Sequence, residues 1–182
     1  LDEEENTLLS SEIKTDLSLK DKLIKLVSSG MAFPNSKSTQ DENIDGIKFI
    51  TRYVYAGLNK SNSRKFCVNM VKANKIYRKE DIVRMSGKIV NQSYTNKEGQ
   101  KKGLGPYGSP FVDVWLYKGG GACHHRWNKQ IYVSFAGTGI DVRSPLAKRI
   151  AGAKAAKYGY VIKNDSKVSQ RPIDMPNKAF IN

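Results

Sequence analysis

The stretch Lys118-Gly119-Gly120-Gly121-Ala122-Cys123-His124-His125-Arg126-Trp127 gathers more reactive side chains than any other part of the chain. It holds one of the two cysteines and both histidines, behind three glycines and ahead of an arginine and a tryptophan. With Cys67, these residues make up the types of a Cys₂His₂ metal set, and zinc is the ion such a set suits. Structural zinc sites usually draw on two close pairs of ligands. Here Cys123, His124 and His125 are consecutive, and Cys67 lies 56 residues upstream. Adjacent side chains of an extended segment point to opposite faces. A zinc site would therefore use Cys67, Cys123 and one of His124 and His125, not all four residues, with its fourth ligand unassigned.

Three other chemistries fit the same residue types. A thiolate beside an imidazole is a nucleophile, and Gly119–Gly121 leave room for an oxyanion. Sequence neighbours diverge, however, and no orienting Asp or Asn is evident. A histidine near a basic surface can activate water in a metal-dependent nuclease. The seven acids beyond residue 45 (Glu80, Asp81, Glu98, Asp113, Asp141, Asp165 and Asp174) form no cluster along the chain. The third reading is structural and is favoured. Gly119–Gly121 make a tight turn, Cys123 packs near Cys67 as a small hydrophobe, and His124, His125 and Trp127 fix the turn. A Cys67–Cys123 disulfide is compatible with it after exposure to an oxidising medium. No catalytic residue is assigned. The phosphate-cradling glycine patterns Gly-x₄-Gly-Lys-Ser/Thr and Gly-x-Gly-x-x-Gly are both missing.

Charge narrows the choice of partner. Ten acids and five lysines leave residues 1–45 at −5, so residues 46–182 carry +19 of the chain's net +14. A basic body of this kind suits a polyanion such as double-stranded DNA. The candidate nucleic-acid contacts are Lys101, Lys102, Arg126, Lys129, Arg143, Lys148 and Arg149. No apolar run approaches the roughly 18 residues that would span a bilayer, so no membrane partner is expected. Two cysteines are too few for a disulfide scaffold and fit a reducing compartment.

The elements that must position these residues can be read from pattern. Residues 1–45 read as an acidic arm. It includes an amphipathic helix opened by Ser18-Leu19-Lys20-Asp21, with Leu19, Leu23, Leu26 and Val27 on one face and Gly30 at its end, and then a polar linker over 31–46. Residues 46–160 read as a basic domain. Strands are expected over Ile47–Tyr55, Phe111–Tyr117 and Gln130–Phe135. Helices are expected after Ser63, with Phe66, Met70 and Ala73 on one face, and near Lys79, with Ile82, Val83 and Met85. Another is expected from Ser144-Pro145, with Leu146, Ile150 and Ala153 on its face and Gly159 as its stop. Residues 87–110 read as a long loop and 161–182 as an extended tail. The class is α+β: a small antiparallel sheet with short helices, a flexible N-terminal arm and an extended C-terminal tail.

Four segments taken together carry a resemblance. They are Arg52-Tyr53-Val54-Tyr55 followed by Ser63-Arg64-Lys65-Phe66-Cys67, then Lys75-Ile76-Tyr77-Arg78-Lys79-Glu80-Asp81-Ile82, then Gly119–Trp127, and last Arg171-Pro172-Ile173-Asp174-Met175-Pro176-Asn177. The series resembles virion structural proteins of tailed phages that infect Bacteroidetes, the crAss-like phages among them. More remotely it is similar to minor head (head morphogenesis) proteins related to the Mu F protein. Those carry Arg-x-Phe-Cys, then Tyr-x-x-Glu-x-Ile, then Gly-Gly-x-x-Cys-Arg-His-x-Trp. This chain has His124 where that pattern tends to have Arg. The resemblance covers residues 47–135 and, more weakly, the tail. It implies a component of the head, portal or neck, housed in the virion within a homo- or hetero-oligomeric assembly and packed against other virion proteins. It also implies that Cys67 and Cys123 lie close together. Such proteins are not established enzymes as a class. The alternative kept beside it is a metal-dependent nuclease or other effector carried in the virion.

Overall fold

A computed structural model describes residues 31–86, 94–95, 97–103, 109, 111–135 and 139–161. The expected helix after Ser18, the tail beyond Val161 and most of the 87–110 loop lie outside the described residues.

Two ten-residue strands form the spine. They are β2 (Ile47–Ala56) and β6 (Arg126–Phe135), antiparallel over their whole length from Ile47 opposite Phe135 to Ala56 opposite Arg126. Both are rich in β-branched and aromatic residues, which pack well on a pleated surface. Strand β1 (Glu42–Ile44) turns back onto β2 through Asp45-Gly46, and β3 (Ile76–Tyr77) pairs further along the same edge of β2. Strand β7 (Lys148–Ile150) closes the far edge against β6. Short helices α1 (Lys65–Ala73), α2 (Lys79–Met85), α3 (Val114–Tyr117) and α4 (Gly152–Lys157) accompany this five-stranded antiparallel sheet. A separate two-stranded ladder joins β4 (Tyr94–Thr95) to β5 (Lys101–Lys102). The fold is α+β, as expected.

Helices cover one face of the sheet at both ends. At one end Tyr53, Tyr55 and Trp127 meet Phe66 and Met70 of α1, Ile82 and Met85 of α2, and Val114 and Trp115 of α3. Each such side chain contributes on the order of 2 kcal/mol of apolar burial. Tyr53 and Trp115 pack edge to face at 4.9 Å, and Trp127 Nε1 donates to the Val114 carbonyl at 3.1 Å. At the other end Tyr160, just past α4, stacks on Phe49 at 4.8 Å. Its hydroxyl hydrogen-bonds Thr51 and donates to the Gln40 carbonyl.

The opposite face is closed by residues 33–41, and here the linker reading of 31–46 gives way. Arg52 is buried at 1% exposure, and all of its guanidinium donors reach this segment or the adjoining backbone. Nε donates to Pro34, Nη1 to Asp41 and the Thr51 carbonyl, and Nη2 to Ser36 and Asp41. Asp81 accepts from the Phe33 N–H, and Glu80 accepts from Ser38 and Thr39. Serine and asparagine composition signalled a loop. It could not signal that the loop is anchored by buried charge.

Two further expectations are corrected. Phe111–Tyr117 is not a strand. Asp113 accepts from the Leu116 N–H at 3.0 Å and caps a helical turn, while Ser86 Oγ accepts from the Val114 N–H. A short apolar run fits a buried helical turn as well as a strand, and the side-chain cap decides it. No helix starts at Ser144 either. Asp141, Ser144 and Ala147 form successive backbone turns, and Leu146 stays 92% exposed. The chain then straightens into β7, and the helix begins only at Gly152. Gly159 does end it, at φ +81°. The helix expected after Ser63 starts at Lys65 with Phe66 and Met70 buried, and the helix near Lys79 stands where expected.

Candidate functional site

Three parts of the chain converge on one buried centre. Strand β2 supplies Tyr55, the first turns of α1 supply Cys67, and the segment between α3 and β6 supplies Gly119, Cys123 and His125. All three ligand-type side chains are buried. Alternation explains the choice of histidine. Ala122 sits at φ +55°, after which the chain runs extended into β6 with Cys123, His125 and Trp127 turned inward and His124 and Arg126 turned out. The consecutive triplet thus splits, as side-chain alternation requires. Cys67, Cys123 and His125 come together, and His124 is exposed.

The distances are short. Cys67 Sγ and Cys123 Sγ are 3.7 Å apart, both as free thiols, and Cys123 Sγ is 3.6 Å from His125 Nδ1. The Tyr55 hydroxyl donates to Cys67 Sγ at 3.3 Å and lies 3.5 Å from Cys123 Sγ. The His125 ring stacks on Tyr55 at 5.4 Å, and its Nε2 is 3.2 Å from Asn59 Oδ1. Because an amide oxygen only accepts, Nε2 carries a proton in that contact. Arg64 spans the rim and donates to the Gly121 carbonyl at 2.6 Å.

The two thiols are unequal. The hydrogen bond from Cys67 favours a thiolate on Cys123; burial opposes this, and the polar contacts with His125 and Tyr55 and the Gly119 N–H reinforce it. Cys67 is pushed the other way, first by its bond to Cys123 and then by burial. Burial, with the two sulfurs beside it, also holds the Tyr55 phenol protonated. Gly119 is required for close approach, since a Cβ there would fall 2.2 Å from Cys67 Sγ.

On its outer side the centre borders a pocket of about 320 Å³. Besides Cys67, Cys123 and His125, it is lined by Lys60, Arg64 and His124, among others. Compared with protein families, curated proteins and solved structures, the chain matches none.

The basic candidates are not gathered onto one surface. Register places Lys129 and Lys148 on the helix-covered face of the sheet, and Arg126 and Arg149 on the other. Lys129 Nζ sits 5.9 Å over the Tyr53 ring, and Arg143 pairs with Asp141 at 3.0 Å. Lys101 and Lys102 form β5 of the separate ladder. Sequence reading missed Tyr55, Asn59 and Arg64 as parts of the centre. Arg64 had a signal, lying one turn of helix before Cys67. The other two had none, because only pairing of β2 with β6 brings them in. Among the described residues no helix is long and apolar enough to cross a membrane.

Proposed function

We propose that this chain is a structural component of a tailed-phage virion, in the head or at the portal and neck, packed against other virion subunits and packaged DNA. One observation supports the reading most. The Arg-x-Phe-Cys and Cys-x-His-x-Trp halves of the resembling pattern, far apart in sequence, meet at Cys67, Cys123, His125 and Trp127 around Tyr55. A pattern whose members share one buried centre behaves as a unit that maintains a fold. The +19 of the body beyond residue 45 suits a site beside a dense polyanion. Quantitative mass spectrometry of gradient-purified, nuclease-treated particles tests the assignment. The chain should be enriched with the head and neck proteins; recovery only from the cleared lysate would refute it.

A second reading, a nuclease or other effector carried in the virion, draws on the pocket, whose Lys60, Arg64 and His124 suit a phosphate. Its lining includes no carboxylate, the group that ordinarily holds metal in phosphodiester cleavage. Plasmid cleavage that disappears in His124→Ala or His125→Ala would favour this reading. No cleavage by the wild-type chain would remove it.

A further inference from the structure

We propose that Cys67, Cys123 and His125 form a zinc site that locks α1 to the segment entering β6. The site rests on geometry alone and is independent of the virion assignment. Among the described residues these three side chains have ligand atoms that all lie within 4.8 Å of one another. Zinc bonds of about 2.3 Å to sulfur and about 2.0–2.1 Å to nitrogen, at a tetrahedral angle, put two sulfurs about 3.8 Å apart and a sulfur about 3.5–3.6 Å from a nitrogen. The chain holds its sulfurs at 3.7 Å and Cys123 Sγ at 3.6 Å from Nδ1. Two edges of a zinc tetrahedron are therefore already formed.

The surroundings serve the same chemistry. Asn59 Oδ1 accepts the hydrogen bond of His125 Nε2–H, which leaves the Nδ1 lone pair for the ion. Ligating histidines are ordinarily held by such an outer acceptor. Stacking on Tyr55 fixes the ring plane. The Gly119 N–H bonds to Cys123, and the absence of a side chain at Gly119 admits Cys67. Soft thiolates with an imidazole select zinc over magnesium or calcium. On binding, each cysteine still protonated loses its S–H proton to water as its Zn–S bond forms, so that both coordinate as thiolates. His125 contributes a lone pair, and nothing is oxidised or reduced. The resulting charge is neutral, which suits a buried position. The three donors border the 320 Å³ pocket, so the fourth position of a tetrahedral ion opens toward it.

Metal content of the full chain, purified under reducing conditions and measured by inductively coupled plasma mass spectrometry, tests the site. About one zinc per chain is expected. His124→Ala should retain it, while Cys67→Ser, Cys123→Ser and His125→Ala should lose it. Since a ligand variant can fail to fold, the wild-type chain provides a second readout. Cobalt should give a thiolate-to-metal charge-transfer band, and a chelator should expose both thiols to alkylation. Substoichiometric zinc with both thiols freely alkylated, a Cys67–Cys123 disulfide under the same conditions, or zinc retained in both cysteine variants would each overturn the proposal.

Discussion

Arg52 and Asp41 form a two-pronged ion pair on the loop-covered face of the sheet, with Nη1 on Oδ1 at 2.5 Å and Nη2 on Oδ2 at 3.1 Å. Both side chains are at least nine-tenths buried. The remaining guanidinium donors reach the carbonyls of Pro34, Ser36 and Thr51. One residue of the central strand thus holds residues 34–41 against the sheet.

Arg52→Ala should cost about 3–5 kcal/mol, because it leaves the Asp41 carboxylate buried and uncompensated. Denaturant unfolding measures the loss. Limited proteolysis should show cleavage opening first within residues 34–41. A loss under 1 kcal/mol would mean that this segment is not anchored through Arg52.

Gly119→Ala should destabilise by at least the roughly 1–3 kcal/mol typical of overpacking, since the new methyl would overlap Cys67 Sγ. Gly139→Ala, where an added Cβ meets nothing within 4 Å, is the control. It should stay within about 0.5 kcal/mol of wild type. Thermal melts of the two variants side by side make the comparison.

Trp127→Phe keeps the ring contacts with Tyr55 and Tyr77 but removes the indole donor to the Val114 carbonyl. The Val114 carbonyl keeps the Lys118 N–H as a donor, so loss of the indole bond should cost only about 0.5–1.5 kcal/mol. Trp127→Ala should cost about 3–5 kcal/mol. Equal losses in the two variants would assign the effect to the indole hydrogen bond, which both remove, and not to packing.

Glu80 gives the fold an acid-sensitive latch. Burial would raise its carboxyl, but the Thr39 N–H and the hydroxyls of Thr39 and Ser38 outweigh burial and hold it below the usual range. Between the folded value and the unfolded value of about 4.3, the unfolded chain binds more protons. The contribution of Glu80 is therefore complete above the unfolded value and fades as pH falls through the folded one. Solvent at this half-exposed position weakens it. Glu80→Gln should flatten the acid limb of a stability–pH curve and leave its neutral region with the same shape.

If DNA lies against the sheet, it lies on one face. Lys129→Gln with Lys148→Gln, and Arg126→Gln with Arg149→Gln, neutralise opposite faces. One pair should reduce the salt slope of DNA binding by about 2, at roughly 0.9 per phosphate contact, and the other should leave it unchanged. Equal small effects from both pairs would indicate diffuse attraction without a docking face.

Much of the sheet was legible in the sequence because β2 and β6 announce themselves through Ile, Val, Tyr and Phe. The helix after Ser63 was legible through Phe66 and Met70. Phe111–Tyr117 misled because apolar content does not distinguish a strand from one buried helical turn, and the decision rested on Asp113. Ser144-Pro145 misled because a good helix start yields to strand pairing when β6 offers an open edge. At the centre, simple alternation already ruled out joint use of Cys123, His124 and His125. Which histidine turns inward depends on the register entering β6, set by the left-handed kink at Ala122. Tyr55 and Asn59 join the centre only through tertiary pairing, which no local pattern encodes, whereas Arg64 lies within one turn of Cys67.

Electron cryomicroscopy of the assembled particle tests the central claim most directly. Density for the five-stranded sheet is expected in the head or at the portal and neck, with a peak bridging Cys67, Cys123 and His125. A map in which every head, portal and neck subunit is assigned and this chain is not among them would contradict it.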